Sequence, residues 1–110
     1  MKSKVLCFDL DGTLCTNTEG AYESATPYPK RISVVNSFYR RGATIIICTA
    51  RGTMTGIDWG KTTRRQLKKW RVRYHTLQFG KPAADIYIDD KATNAAIWFR
   101  RIGLTKERPS

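Results

Sequence analysis

Apolar and polar positions alternate along this chain in a way that separates strands from helices. Residues 5–8 (Val-Leu-Cys-Phe) form a short apolar run that ends in Asp9-Leu10-Asp11-Gly12, the signature of a buried strand delivering polar groups at its C-terminal end. Within 29–42, Ile32, Val35, Phe38 and Tyr39 recur at helical spacing, with Pro29 suited to the first turn and Gly42 to the stop. Residues 44–49 (Thr-Ile-Ile-Ile-Cys-Thr) are β-branched and nearly continuous, so they predict a second central strand. A second helix is expected over 60–70, where Thr63, Leu67 and Trp70 share a face and Lys61, Arg64, Arg65, Lys68 and Lys69 point away. Residues 74–79 alternate as a third strand and 86–88 (Ile-Tyr-Ile) read as a fourth, ending at Asp89-Asp90. A last helix over 92–101 aligns Ala95, Trp98, Phe99 and Ile102 before Gly103. The order βαβαββα predicts an α/β fold, a mostly parallel sheet with helices on both faces in a three-layer sandwich. Residues 15–28 lack periodicity and predict a long loop or short hairpin placed as a flap over the strand ends.

Composition narrows the class. With 110 residues, 41% hydrophobic and 11% aromatic, the chain can bury a core, so one domain over 1–105 is expected, with 106–110 a flexible tail. The longest apolar run, 43–50, is far short of the roughly 20 residues a membrane span needs. No secretory leader is legible, and a soluble, cytoplasmic protein without a membrane partner is expected. Cys7, Cys15 and Cys48 are odd in number and lack C-x-x-C spacing, which favours buried reduced thiols over disulfides or zinc.

Candidate chemistry gathers where a parallel sheet places its sites, at the C-terminal strand ends. Asp9 and Asp11, Thr49, Lys81, and Asp89 with Asp90 all fall there. Two acidic clusters on neighbouring strands repel unless a hard divalent cation, most plausibly Mg²⁺, lies between them. Gly12-Thr13 sits where the backbone turns sharply and is expected to leave N–H groups free for an anion. An anion that uses a metal, a lysine and a backbone nest beside a carboxylate is most simply a phosphoryl group.

Phe8-Asp9-Leu10-Asp11-Gly12-Thr13-Leu14 resembles the D-x-D-G-T signature of the haloacid dehalogenase superfamily of phosphotransferases. Thr49, Lys81 in Gly80-Lys81-Pro82, and Asp89-Asp90 follow in the order of that superfamily's other motifs, so the resemblance spans about residues 4–100. It is nearest to small capless members associated with capsular polysaccharide biosynthesis, through Gly20-x-Tyr22, Thr49-Ala50-Arg51-Gly52, Trp70-x-Val72-x-Tyr74-His75 and Gly80-Lys81-Pro82. The resemblance implies a Rossmann-like parallel sheet with no separate cap domain, and a Mg²⁺-dependent phosphatase acting through an aspartyl-phosphate. Asp9 would be the nucleophile, Asp11 the acid and base, and Thr49 and Lys81 the phosphoryl holders. Gly12, Thr13, Ala50 and Arg51 would line the phosphate site, and Asp9, Asp11 and Asp89 or Asp90 would bind the metal. The implied substrate is a small phosphorylated metabolite such as a sugar phosphate; a site that has no cap would either be covered by a neighbouring subunit in a homo-oligomer or accept large, exposed substrates.

Other readings compete. Arg51 can reach a phosphate or brace the loop after the second strand. His75 reads as a core or edge residue, and the tryptophans as packing. The chain carries 20 Lys and Arg against 9 Asp and Glu, a net charge of +11, and seven of its basic residues crowd into segment 61–73. That segment reads as a solvated face; the alternative is a nucleic-acid contact, which makes the protein a phosphatase of polynucleotide 3′ or 5′ ends, though the segment lacks the aromatic interleaving of single-strand binding surfaces. A third possibility keeps the fold without turnover, as a binding protein.

Overall fold

A computed structural model describes residues 4–104 and 107–110. Three strands, β1 (Val5–Asp9), β2 (Thr44–Cys48) and β3 (Thr76–Gln78), form a parallel sheet in the order β1-β2-β3. Between β1 and β2 runs α1 (Pro29–Arg40), between β2 and β3 runs α2 (Gly60–Lys69), and α3 (Ala95–Arg101) follows the sheet. A single turn of 3₁₀ helix, Tyr22–Ser24, interrupts the loop after β1. The α/β expectation stands, and no helix among the described residues is long and apolar enough to cross a membrane.

Register explains where the core lies. Pairing Leu6 with Ile45 and Phe8 with Ile47 puts these residues on one face of the sheet, where Phe8, Ile45 and Ile47 are buried. All three helices feed the same cluster, through Ile32 and Val35 of α1, Leu67 of α2 and Phe99 of α3. Phe8 meets Trp98 edge-on at 5.5 Å between ring centroids, and Phe38 joins α1 to Trp98 at 5.6 Å. The opposite face carries Val5 and Cys7, both exposed, so the described helices cover one face and supply two layers of the expected three. Trp70 and Trp98 pack against the core, as expected of packing residues.

Helix ends follow local rules. α1 has no side-chain cap from Tyr28 and starts on Pro29. Glu107 supplies the missing acceptor, taking N–H bonds from Lys30 and from Arg31 at 3.0 Å, while Ser110 N–H donates to Pro27 O at 2.9 Å. Lys106, in the segment expected as a tail, lies outside the described residues. Asn94 caps α3 by accepting from Ile97 N–H, so that helix starts three residues later than its pattern suggested. His75 plays an edge role: its Nδ1 accepts the Ile45 N–H at 3.0 Å, and its ring stacks on Tyr39.

The expected fourth strand is not formed. Ile86 and Ile88 are 75% and 95% exposed, and every residue from 82 to 94 is exposed. Local side-chain bonds close this segment on itself: Tyr87 Oη donates to Pro82 O and accepts from Ala84 N–H, and Asp89 accepts from Lys91 N–H at 2.8 Å. Such bonds compete with ladder pairing, and a three-residue apolar run between Asp85 and Asp89 has little burial to set against them.

Candidate functional site

The C-terminal ends of β1 and β2 open onto a cleft of about 340 Å³ lined by Asp9, Asp11, Ala50, Arg51, Lys81 and Tyr87 on one side and by Asn17, Glu19, Gly20 and Tyr22 on the other. The aperiodic loop after β1 is therefore a wall of the cleft, as its composition suggested.

Asp9 ends β1 and meets Lys81 Nζ at 3.3 Å through Oδ1, while Thr13 Oγ1 donates to its Oδ2 at 3.4 Å. Lys81 is fixed along its backbone: its N–H donates to Thr49 O at 3.2 Å and its carbonyl accepts from Thr53 Oγ1 at 2.9 Å. Its ammonium also lies 4.4 Å from the Tyr87 ring centroid. Thr49 is buried behind this pair, and its Oγ1 accepts the Arg51 N–H at 3.1 Å.

Asp11 is held by Arg51. Nε and Nη2 donate to the two carboxylate oxygens at 2.9 and 2.8 Å, a bidentate pair with the arginine side chain wholly buried. Nη1 donates to Thr63 Oγ1 at 3.1 Å and Gln66 Oε1 at 2.6 Å, and Nη2 also reaches Cys15 Sγ at 3.8 Å. These bonds occupy all five guanidinium donors. Of the two roles the sequence left open for Arg51, this arrangement is that of a brace: it holds Asp11 and ties β2 to α2, with no donor left over for a phosphate. Tyr22 completes the brace, with its ring 4.7 Å from Arg51 Cζ and its carbonyl accepting from Gln66 Nε2 at 2.7 Å. Cys15, buried beside Asp11, has its thiol pushed up to about 12 by burial and by the neighbouring carboxylate.

Two further expectations change. Gly12 takes the left-handed backbone that a turn needs (φ +85°), but its N–H donates to Cys15 O and that of Thr13 to Leu10 O, so neither is free for an anion. The amides of Asp11 and Ala50, which line the same cleft at the ends of β1 and β2, donate to no protein acceptor among the described residues. Asp89 and Asp90 do not reach the cleft, and both are exposed on segment 82–94. The Lys91 N–H holds the Asp89 carboxyl below the usual carboxylate range. Among the described residues no three His, Cys, Asp or Glu side chains gather to hold a metal ion.

A second cleft of about 170 Å³ adjoins the first across Arg51 and is walled by Ile57, Trp59 and Phe79. Trp59 packs edge-on against Tyr22 at 4.9 Å, joining the two clefts.

No family model and no curated protein matches the chain. Solved structures do: an MCSG target protein from Vibrio cholerae shares 30% identity at a TM-score of 0.77, over 86% of each chain. This chain belongs to the family of that Vibrio cholerae protein. Two further matches come from the Pnkp1/Rnl/Hen1 RNA repair complex, at 20% and 19% identity and TM-scores of 0.56 and 0.58. They cover 91% and 94% of this chain but only 30% and 44% of those, and at such identity they show the fold alone.

Proposed function

We propose that the protein is a phosphatase of the haloacid dehalogenase type, hydrolysing a phosphate monoester through an aspartyl-phosphate. The observation that carries this reading is the placement of Asp9 against Lys81 in one cleft with Asp11 and two amides free of protein acceptors. In the first step an Asp9 carboxylate oxygen attacks phosphorus, the Asp9–phosphorus bond forms, and the bond to the leaving oxygen breaks. Asp11 gives that oxygen its proton; one Asp11 Oδ2 lone pair remains outside the arginine clamp for this exchange. Lys81 and the amides of Asp11 and Ala50 hold the equatorial phosphoryl oxygens as charge spreads, with the Thr49 hydroxyl behind them. In the second step water attacks phosphorus, the Asp9–phosphorus bond breaks, and Asp11 takes the water's proton.

Mg²⁺ belongs to this reading as an expectation from the acidic motifs. The gathered residues offer it the oxygens of Asp9 and Asp11, each already facing a cation of the chain, and the set is not complete without Asp89 or Asp90 from segment 82–94. A bound Mg²⁺ would offset phosphoryl charge; none of the steps above is routed through it. The substrate expected from the resemblance is a small phosphorylated metabolite. The test is phosphate release from 4-nitrophenyl phosphate and sugar phosphates with Mg²⁺ or EDTA. Turnover abolished by Asp9→Asn supports the mechanism, loss with EDTA supports the metal, and absence of turnover in a folded protein that binds phosphate favours a binding role instead.

A further inference from the structure

Between Trp59 and Ala84 the chain has no acidic residue and eight basic ones. Five of them, Lys61, Arg64, Arg65, Lys68 and Lys69, recur at i, i+3, i+4, i+7 and i+8 on α2, all exposed, opposite the buried Thr63, Gln66 and Leu67. Like charges at these spacings repel, and a lysine in the first turn opposes the helix dipole. One carboxylate, Asp58, accepts the Gly60 N–H at 2.8 Å at the start of α2, but the ion pairs among the described residues are Arg51–Asp11 and Lys81–Asp9, and neither involves the stripe. A face that keeps this repulsion finds its counter-charge on a partner that is itself a string of anions.

What lies beside the face names the partner. The N-terminal end of α2 borders the aromatic cleft, where the Arg64 guanidinium stands 5.8 Å from the Phe79 ring centroid and Trp59 forms the facing wall. That cleft continues through Arg51 into the Asp9 cleft, and its Gly80 precedes Lys81. Aromatic walls suit an unstacked planar base, and a basic stripe suits the phosphates that follow it. The sequence hid this because the aromatics of the cleft, Trp59 and Phe79, flank segment 61–73, while Trp70 within it packs against the core.

We propose that α2 and the aromatic cleft bind the end of a single-stranded nucleic acid and deliver its terminal phosphate to Asp9. This rests on the phosphatase reading and replaces the small metabolite with a polynucleotide end. The test compares the wild type with Lys61→Gln/Arg65→Gln/Lys68→Gln/Lys69→Gln, four exposed positions outside the Asp9 cleft, after a thermal midpoint shows that the variant is folded. Anisotropy of a fluorescein-labelled, end-phosphorylated ten-nucleotide DNA or RNA is read against salt, in the Asp9→Asn background to prevent turnover. About four phosphate contacts at ~0.7 each give a log–log salt slope near −3. The variant flattens that slope and binds on the order of several hundred-fold more weakly at 0.1 M salt, while its hydrolysis of 4-nitrophenyl phosphate matches the wild type. With Asp9 intact, the oligonucleotide is hydrolysed at least ~100-fold more efficiently than a sugar phosphate, a gap of the size that remote phosphate and stacking contacts supply.

Turnover of 4-nitrophenyl phosphate with no oligonucleotide preference, or a slope unchanged in the variant, overturns the proposal and leaves the phosphatase reading in place. Oligonucleotide binding without phosphate release from any substrate overturns delivery together with the phosphatase reading. Binding to phosphatidylserine vesicles but not to the oligonucleotide overturns it in favour of a membrane surface.

Discussion

Replacing Arg51 by Met removes the guanidinium while keeping an unbranched side chain in the space of its stem. Arg51 is 2% exposed and its five donors serve Asp11, Thr63, Gln66 and Cys15. The substitution leaves a carboxylate, a hydroxyl and an amide oxygen without their donor, and breaking a buried pair from one side costs about 3–5 kcal/mol. Domains of this size have only about 5–15 kcal/mol in hand, so the variant should be folded but marginal, with a thermal midpoint lower by at least about 12 °C. Urea and thermal unfolding measure the loss. A double-mutant cycle with Asp11→Asn apportions it: with the aspartate charge gone, Arg51→Met should cost at least ~1 kcal/mol less than in the wild type. A loss below about 1 kcal/mol, or the same loss in both backgrounds, would refute the brace.

Gly52→Ala places a Cβ 2.2 Å from Ile57 O at a φ of +81°, so the 52–60 loop must shift; a destabilisation of at least about 1–3 kcal/mol is expected by urea unfolding. Cys15, with its thiol raised from 9.0 to about 12, should react with iodoacetamide at pH 8 about a thousand-fold more slowly than an unperturbed thiol, as peptide mapping of timed reactions can show. The same shift sets a pH dependence. The thiol ionises in the unfolded chain near pH 9 but stays protonated in the fold, so its stabilising contribution is complete below pH 9 and declines as pH rises toward 12; Cys15→Ala should lose less stability than the wild type across that window. Lys81→Met removes the cation 3.3 Å from Asp9 and should lower kcat/KM on 4-nitrophenyl phosphate by about 10²–10³, with the thermal midpoint little changed.

Strands and helices with strong periodicity were legible because burial of one face dictates them: β1, β2, α1 and α2 lie where the pattern places them, and Asp9 and Lys81 meet as their strand-end positions implied. The run Ile86-Tyr87-Ile88 misled because hydrophobicity alone does not reveal that Tyr87 and Asp89 bond back to their own backbone. Arg51 was ambiguous from its motif, yet α2 carried a signal. Thr63 and Gln66 are polar residues on the helix's buried stripe with Leu67, and a buried polar stripe needs a polar partner. Gly12 and Thr13 show the limit of motif reading for backbone groups, since the turn that exposes one amide consumes the next.

The most direct test of the account is phosphate release from 4-nitrophenyl phosphate by the wild type and by Asp9→Asn, with trapping of acid-stable or borohydride-reduced aspartyl-phosphate in the wild type. Turnover and a label on Asp9 are expected in the wild type, and both vanish in Asp9→Asn. Equal turnover in the two proteins, or a label on any other residue, would contradict the aspartyl-phosphate mechanism.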